Sequence, residues 1–243
     1  MIEAIEKLRS DEHYYGEFGQ QFLSNSDIGT LLKNPRDFKK KQEDNPAFAK
    51  GRYFHQLILE PEKATEWDFV DVASRNTKAY REHCESHQVP FALLQKEANE
   101  MEDIVKVMLG HMDFFNDIRD DECEYEVPCV KEIGGEMWKG KADVVHPDMV
   151  IDLKTTSNIA DFRWSAKKYN YDSQAYIYSL MFGKPLVFYV VEKGTGTLGV
   201  FETSNAFIES GEAKVFKAIE QYRTFFGDNP TEDINSYFIH ETL

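Results

Sequence analysis

Asp152 and Lys154 close an apolar run, Met149-Val-Ile-Asp152-Leu-Lys154. In an extended strand, residues two apart share a face and lie about 7 Å from each other along the chain. A second acid, Asp143, ends the preceding β-rich run, and a turn around Pro147 separates the two. If the runs pair as a hairpin, two carboxylates and one ammonium meet at one place. Mg²⁺ is a hard cation that prefers oxygen ligands. An ammonium beside it can orient water or stabilise developing charge, which is what metal-assisted phosphodiester hydrolysis needs. Asp-x-Lys also occurs as an ordinary surface ion pair. Here the run before Lys154 is too apolar for an exposed edge, so Asp152 needs a partner, and a metal ion is one.

The elements that must position these residues follow from pattern. Residues 1–12 suggest a short helix or arm. Ser24-Asn-Ser26 is an N-cap signal for a helix ending before Asn34-Pro35. Helices are expected over Phe48–Leu59, Thr77–His87 and Phe91 to about Met112, with a strand at Asp68–Val72. The pattern then changes to strands at Cys123–Lys131, Met137–Val145 and Met149–Lys154. A helix at Tyr171–Phe182, strands at Leu186–Glu192 and Thr197–Glu202, and a helix at Ala206–Phe226 complete the chain. No repeat or Gly/Ser linker divides it. The expectation is one α/β domain over residues 1–243, with an arm (1–21), a mainly helical part (22–118), a sheet-and-helix part (119–204) and a C-terminal helix and tail (205–243).

Gln174 and Tyr178 lie four apart, on one face of the helix that follows the Lys154 strand. There the glutamine can hold water or a phosphate oxygen, and the tyrosine is either a core aromatic or a platform for a sugar or base. His55, on the helix ending at Leu59, is either a satisfied core residue or a metal ligand. Glu124 and Glu126 share a strand face and can supply an outer carboxylate, but their acidic run favours solvent.

Composition sets limits. The net charge of −15 argues against a nonspecific nucleic-acid coat. Seven basic residues against three acids between Lys33 and Arg52, and four against one between Lys154 and Tyr171, still allow a local basic surface that includes Lys167 and Lys168. Mean hydropathy is −0.53, and the longest strongly apolar run, Pro185–Val191, is too short to span a bilayer. The charged start lacks a signal-peptide core, and three unpatterned cysteines (Cys84, Cys123, Cys129) suit free thiols in a reducing cytosol. A soluble cytoplasmic protein without a membrane partner is expected.

The ordered set Ser24-x-Ser26, Gly51-x-x-x-His55, Leu59-Glu-Pro61-Glu62, Gly140-x-x-Asp143, Ile151-Asp-Leu-Lys-Thr-Thr156 and Gln174-x-x-x-Tyr178 resembles the RecE-type branch of phage and prophage exonucleases. These are relatives of lambda exonuclease and the RecB nuclease domain within the PD-(D/E)xK superfamily. The likeness runs from about Phe22 to Val191. It implies the PD-(D/E)xK fold, a mixed central sheet flanked by helices with a helical N-terminal region. It also implies an exonuclease that uses Mg²⁺, or Mn²⁺ as a substitute, to digest linear double-stranded DNA from the 5′ end in phage-type recombination. An endonuclease on the same fold and a catalytically silent DNA-binding module are the alternatives.

By the same resemblance, His55, Asp143, Asp152 and the Leu153 carbonyl would hold metal, Lys154 would assist the attacking water, and Gln174 would orient it. Ser26 matches a position that helps hold the 5′ phosphate. The arginine expected upstream is missing, because Tyr14–Leu23 contains no Arg or Lys; Arg52 or Lys33 would have to substitute, and Tyr178 would contact DNA. The implied partners are duplex DNA ends, a single-strand annealing protein and further copies of the chain in a ring, in a bacterial host cytoplasm. Some relatives carry an iron–sulfur cluster on four cysteines; three cysteines rule that out.

Overall fold

The computed structural model describes residues 2–40 and 43–240. Helices α1 (Ile2–Lys7) and α2 (Asp11–Tyr15) precede α3 (Asn25–Lys33), α4 (Pro46–Leu59) and α5 (Pro61–Ala64). Strand β1 (Phe69–Val70), α6 (Lys78–His87) and β2 (Leu93–Leu94) form a small parallel crossover that leads into α7 (Gln95–Gly110) and α8 (Met112–Ile118). Next come β3 (Glu124–Ile133), β4 (Glu136–Val145), β5 (Val150–Thr156), α9 (Phe162–Lys168) and α10 (Tyr171–Phe182). Strands β6 (Leu186–Glu192) and β7 (Leu198–Glu202) and the long helix α11 (Asn205–Phe225) follow.

The five longer strands form one mixed sheet in the order β3-β4-β5-β6-β7. Only β5 and β6 run parallel, joined by the crossover through α9 and α10. Strand β5 is central, and Val150, Ile151 and Leu153 are fully buried, which is why its sequence is apolar on both faces. Ile151 and Leu153 face a core built with Phe54 and Ile58 of α4 and Met101 and Met108 of α7. Val150 faces the opposite core with Ile28 of α3, Ala175 and Ile177 of α10, and Val215 and Ile219 of α11. Period-two alternation therefore sends Asp152 to the α10 side of the sheet.

Several boundaries differ from the sequence pattern, for local reasons. Helix α4 starts two residues early because Asn45 accepts the amides of Ala47 and Phe48 and Pro46 occupies the first turn. The long helix expected from Phe91 is divided. Leu93–Leu94 pairs with β1, and His111 adopts an extended backbone between α7 and α8. Helix α9 was not anticipated, since Phe162-Arg-Trp-Ser-Ala-Lys-Lys168 is too short to show a period. Among the described residues, no helix is long and apolar enough to cross a membrane.

Candidate active site

The site exists because β4 and β5 separate. They pair only at Val144↔Ile151 and Val145↔Val150, and the same register carried one step further sets Asp143 opposite Asp152. Beyond that point a side chain replaces the ladder: Asp143 Oδ2 accepts the Leu153 amide at 2.7 Å. The other flank of β5 stays paired with β6 along all seven residues, so the strand is held while its acidic side opens.

Four further side chains converge there. Lys154 Nζ is in ion contact with Asp152 Oδ2 and lies 5.1 Å from the centre of the Tyr171 ring. Gln174, carried in on α10, donates to Asp152 Oδ1 at 2.6 Å. His55 Nδ1 on α4 lies 3.4 Å from Asp143 Oδ1. Gly51, one helical turn before His55, also lines the groove, and a Cβ there would touch nothing within 4 Å. Glu126 of β3 is the sixth member.

Glu126 corrects the sequence reading that assigned it to solvent with Glu124. Glu124 is exposed, whereas Glu126 is half-buried in the groove. Its flanking pairs, Tyr125↔Val144 and Val127↔Ala142, place it opposite Asp143. Its φ of +50° is left-handed, a conformation non-glycine residues adopt at a cost and one that concentrates at functional sites. Ligand atoms of His55, Glu126 and Asp143 lie within 4.8 Å of one another.

Burial and mutual charge set the electrostatics of this constellation. Burial raises the Asp152 carboxyl above its ordinary range, and the pull of Lys154 does not cancel it. Burial also raises Glu126, with Asp143 adding to the effect. Asp143 goes the other way: burial opposes its charge, but His55, Lys154 and the Leu153 amide hold it below the usual range. Burial likewise opposes charge on His55 and Lys154, yet the neighbouring carboxylates raise both. Asp152 Oδ2 is buried against the Lys154 ammonium. Crowded carboxylates and one imidazole form a donor set suited to a divalent cation.

The groove over these residues has a volume of about 620 Å³. Its cations are already engaged. Lys141 Nζ pairs with Glu126 at 2.6 Å and Asp11 at 2.9 Å, and Arg52 is bidentate to Asp44 at 3.0 and 2.5 Å. Lys139 donates to the Tyr14 carbonyl and is pulled down to about 8 by burial. Neither Lys139 nor helix α2, which brings Asp11, Tyr14 and Tyr15 over the groove, was singled out from the sequence. An isolated polar residue carries no period that would reveal its place.

Other sequence candidates are placed differently. Tyr178 is 7% exposed, and its hydroxyl donates to the Lys141 carbonyl at 2.9 Å and accepts the Lys141 amide. Its hydroxyl is thereby tied to β4, while the residue also lines the groove. Ser26 lines the groove in the first turn of α3 and bonds Ser24 Oγ at 2.9 Å. Lys33, in the last turn of α3, lies about 10 Å further along the axis and cannot share that position. In the basic stretch, Lys39 is tied to Asp27 and the Phe22 carbonyl, and Lys40 to Asp37; Lys41 lies outside the described residues. Lys167 and Lys168 are exposed on α9, next to Trp164 and Tyr169, which are 64% and 57% exposed. Leu153 is buried, with its amide used by Asp143.

Residues 24–228 match the family described as a PDDEXK-like domain of unknown function (DUF3799). No curated protein matches the chain. Among solved structures, a provisionally named exonuclease from Eubacterium rectale superposes with a TM-score of 0.64 at 15% identity, covering 96% of this chain and 95% of that one. This is a likeness of fold. A phage-related exonuclease from Haemophilus somnus 129PT, 14% identical and covering 83% of this chain and 93% of that one, has a TM-score of 0.36, too remote to bear on it.

Proposed function

The chain belongs to the PDDEXK-like family DUF3799, and on that premise we propose that it is a divalent-metal-dependent exonuclease that digests linear double-stranded DNA from the 5′ end. The observation that carries this reading is Asp152. It is a buried carboxylate with a raised pKa, set opposite Asp143 and held by Lys154 and Gln174. A solvated ion pair would be neither buried nor raised in pKa.

Asp143, Asp152, Glu126 and His55 would hold the cation, with the Leu153 carbonyl as a further ligand. When bound, the cation would polarise the phosphoryl oxygen and lower the pKa of water. The groove is acidic, so a phosphate would enter only after this charge is neutralised. Gln174 is the group placed to fix orientation at Asp152. Before metal binds, the neighbouring carboxylates favour the charged ammonium of Lys154, which would serve there as a cation. Were Asp152 to share its charge with a metal, that ammonium would be free to face the charge developing on the phosphate. Ser26, with Arg52 exchanging Asp44 for phosphate, would grip the 5′ end. Lys167, Lys168 and the exposed rings of α9 would meet the incoming strand.

The test uses linear duplex labelled at either end, alongside closed circular DNA, with Mg²⁺ present. Early release of the 5′ label and an intact circle are expected. Lys167→Glu with Lys168→Glu should raise the DNA concentration needed for half-maximal rate. Cutting of the circle would instead identify an endonuclease, and early loss of the 3′ label would reverse the polarity. No hydrolysis of either DNA would mark a silent module.

A further inference from the structure

A second cluster of metal-binding groups lies away from the catalytic acids, on the β1-α6-β2 crossover. His83 and His87 stand four apart on α6, on one face, with their rings stacked at 4.2 Å and 23°. Both Nε2 atoms point at the same oxygen: Asp68 Oδ2 lies 3.3 Å from His83 Nε2 and 3.6 Å from His87 Nε2. Donors bonded to zinc at 2.0–2.1 Å in a tetrahedral site are about 3.3 Å apart; both edges to Asp68 are near that length, and all three ligand atoms lie within 4.8 Å of one another.

An independent observation concerns His87. Its Nδ1 lies 2.9 Å from the His83 carbonyl, and a carbonyl can only accept. Ser86 Oγ lies 3.0 Å from the same nitrogen, so Nδ1 has two oxygens to donate to, and in that tautomer Nε2 presents its lone pair to the cluster. A ring nitrogen bound to a backbone carbonyl is the usual support for a metal-ligating histidine. The three residues line a cavity of about 820 Å³ that shares Asp11, Arg52 and Gln56 with the catalytic groove, which leaves a fourth position open to solvent or to a small ligand.

We propose that Asp68, His83 and His87 form a zinc-class site that pins the C-terminal turn of α6 to the strand entered at Asp68. Two imidazoles and one carboxylate select Zn²⁺ or Co²⁺ over Mg²⁺, whereas the carboxylate-rich catalytic set has the opposite preference. The zinc site does not depend on the nuclease reading.

The experiment takes chelator-stripped full-length protein in excess Mg²⁺ and adds Co²⁺, then Zn²⁺. Visible absorption and thermal unfolding are followed together. A single Co²⁺ per chain with tetrahedral bands, displaced by Zn²⁺, and a rise in the melting midpoint with Zn²⁺ are expected. His87→Ala, at a half-exposed position with only local hydrogen bonds, and His83→Ala should each abolish both signals, while Asp143→Asn should retain them. Persistence of either signal in the folded His87→Ala protein, loss of both in Asp143→Asn, or absence of Co²⁺ bands at micromolar free ion would each overturn the assignment.

Discussion

Asp152→Asn is expected to slow hydrolysis of linear duplex about a thousandfold while the protein stays folded. A lost metal ligand removes several kcal/mol of transition-state stabilisation, and about 4 kcal/mol corresponds to that factor. The structural cost should be small, because two effects oppose each other. Burial already disfavours the ionised carboxylate, so a neutral amide removes a penalty. Lys154 loses its partner, but its side chain is 20% exposed and can turn toward water. Asn also retains an oxygen for the Gln174 amide. Rates on end-labelled duplex and melting curves of both proteins check this. An unchanged rate would remove Asp152 from the chemistry, and a fall in the melting midpoint comparable to that of a core deletion would make its role structural.

Gly211→Ala is expected to destabilise the fold, and its sign separates packing from propensity. Within a helix, alanine is favoured over glycine by about 1 kcal/mol. At Gly211, however, an added Cβ would lie 2.0 Å from the Asp172 carbonyl oxygen and 2.7 Å from the Ser173 amide nitrogen of α10. Backbone cannot yield there as a flexible side chain would. The contact is also fixed by polar bonds, since Lys214 Nζ donates to Asp172 at 2.8 Å and Ser210 Oγ at 3.0 Å. Overpacking of this kind costs about 3 kcal/mol at the upper end of its usual range. The net loss is then about 2 kcal/mol, or a melting midpoint lowered by roughly 4–8 °C in a chain of this size. Gly51→Ala in α4 is the control: a Cβ there meets nothing within 4 Å, and the midpoint should rise. Gly211→Ala melting at or above wild type would contradict the close approach of α10 and α11.

The mixed sheet and the main helices could be read from pattern because each buries a periodic face. Strand β5 is the clearest case, since its continuous apolar run requires neighbours on both sides. The candidate site was legible where its residues recur at fixed spacing, as in Asp152-x-Lys154 and Gln174-x-x-x-Tyr178. Glu126 was not, because it owes its place to strand register and a left-handed backbone, while its local sequence suggested solvent. Charge counting failed for a related reason. It scored Lys39 and Lys40 as a basic surface, yet each is bound to an acid that composition cannot pair with it. Tyr178 was left between two roles, and only its burial and its bonds to Lys141 favour the structural one.

The central claim is that the acid pair Asp143 and Asp152 holds the catalytic divalent cation. Calorimetric titration of Mn²⁺ into the zinc-saturated wild-type protein and into Asp143→Asn/Asp152→Asn tests it most directly. A saturable isotherm is expected for the wild type, vanishing in the double variant while the variant's melting curve remains cooperative. An isotherm of equal affinity in both proteins, or none in either, would contradict it.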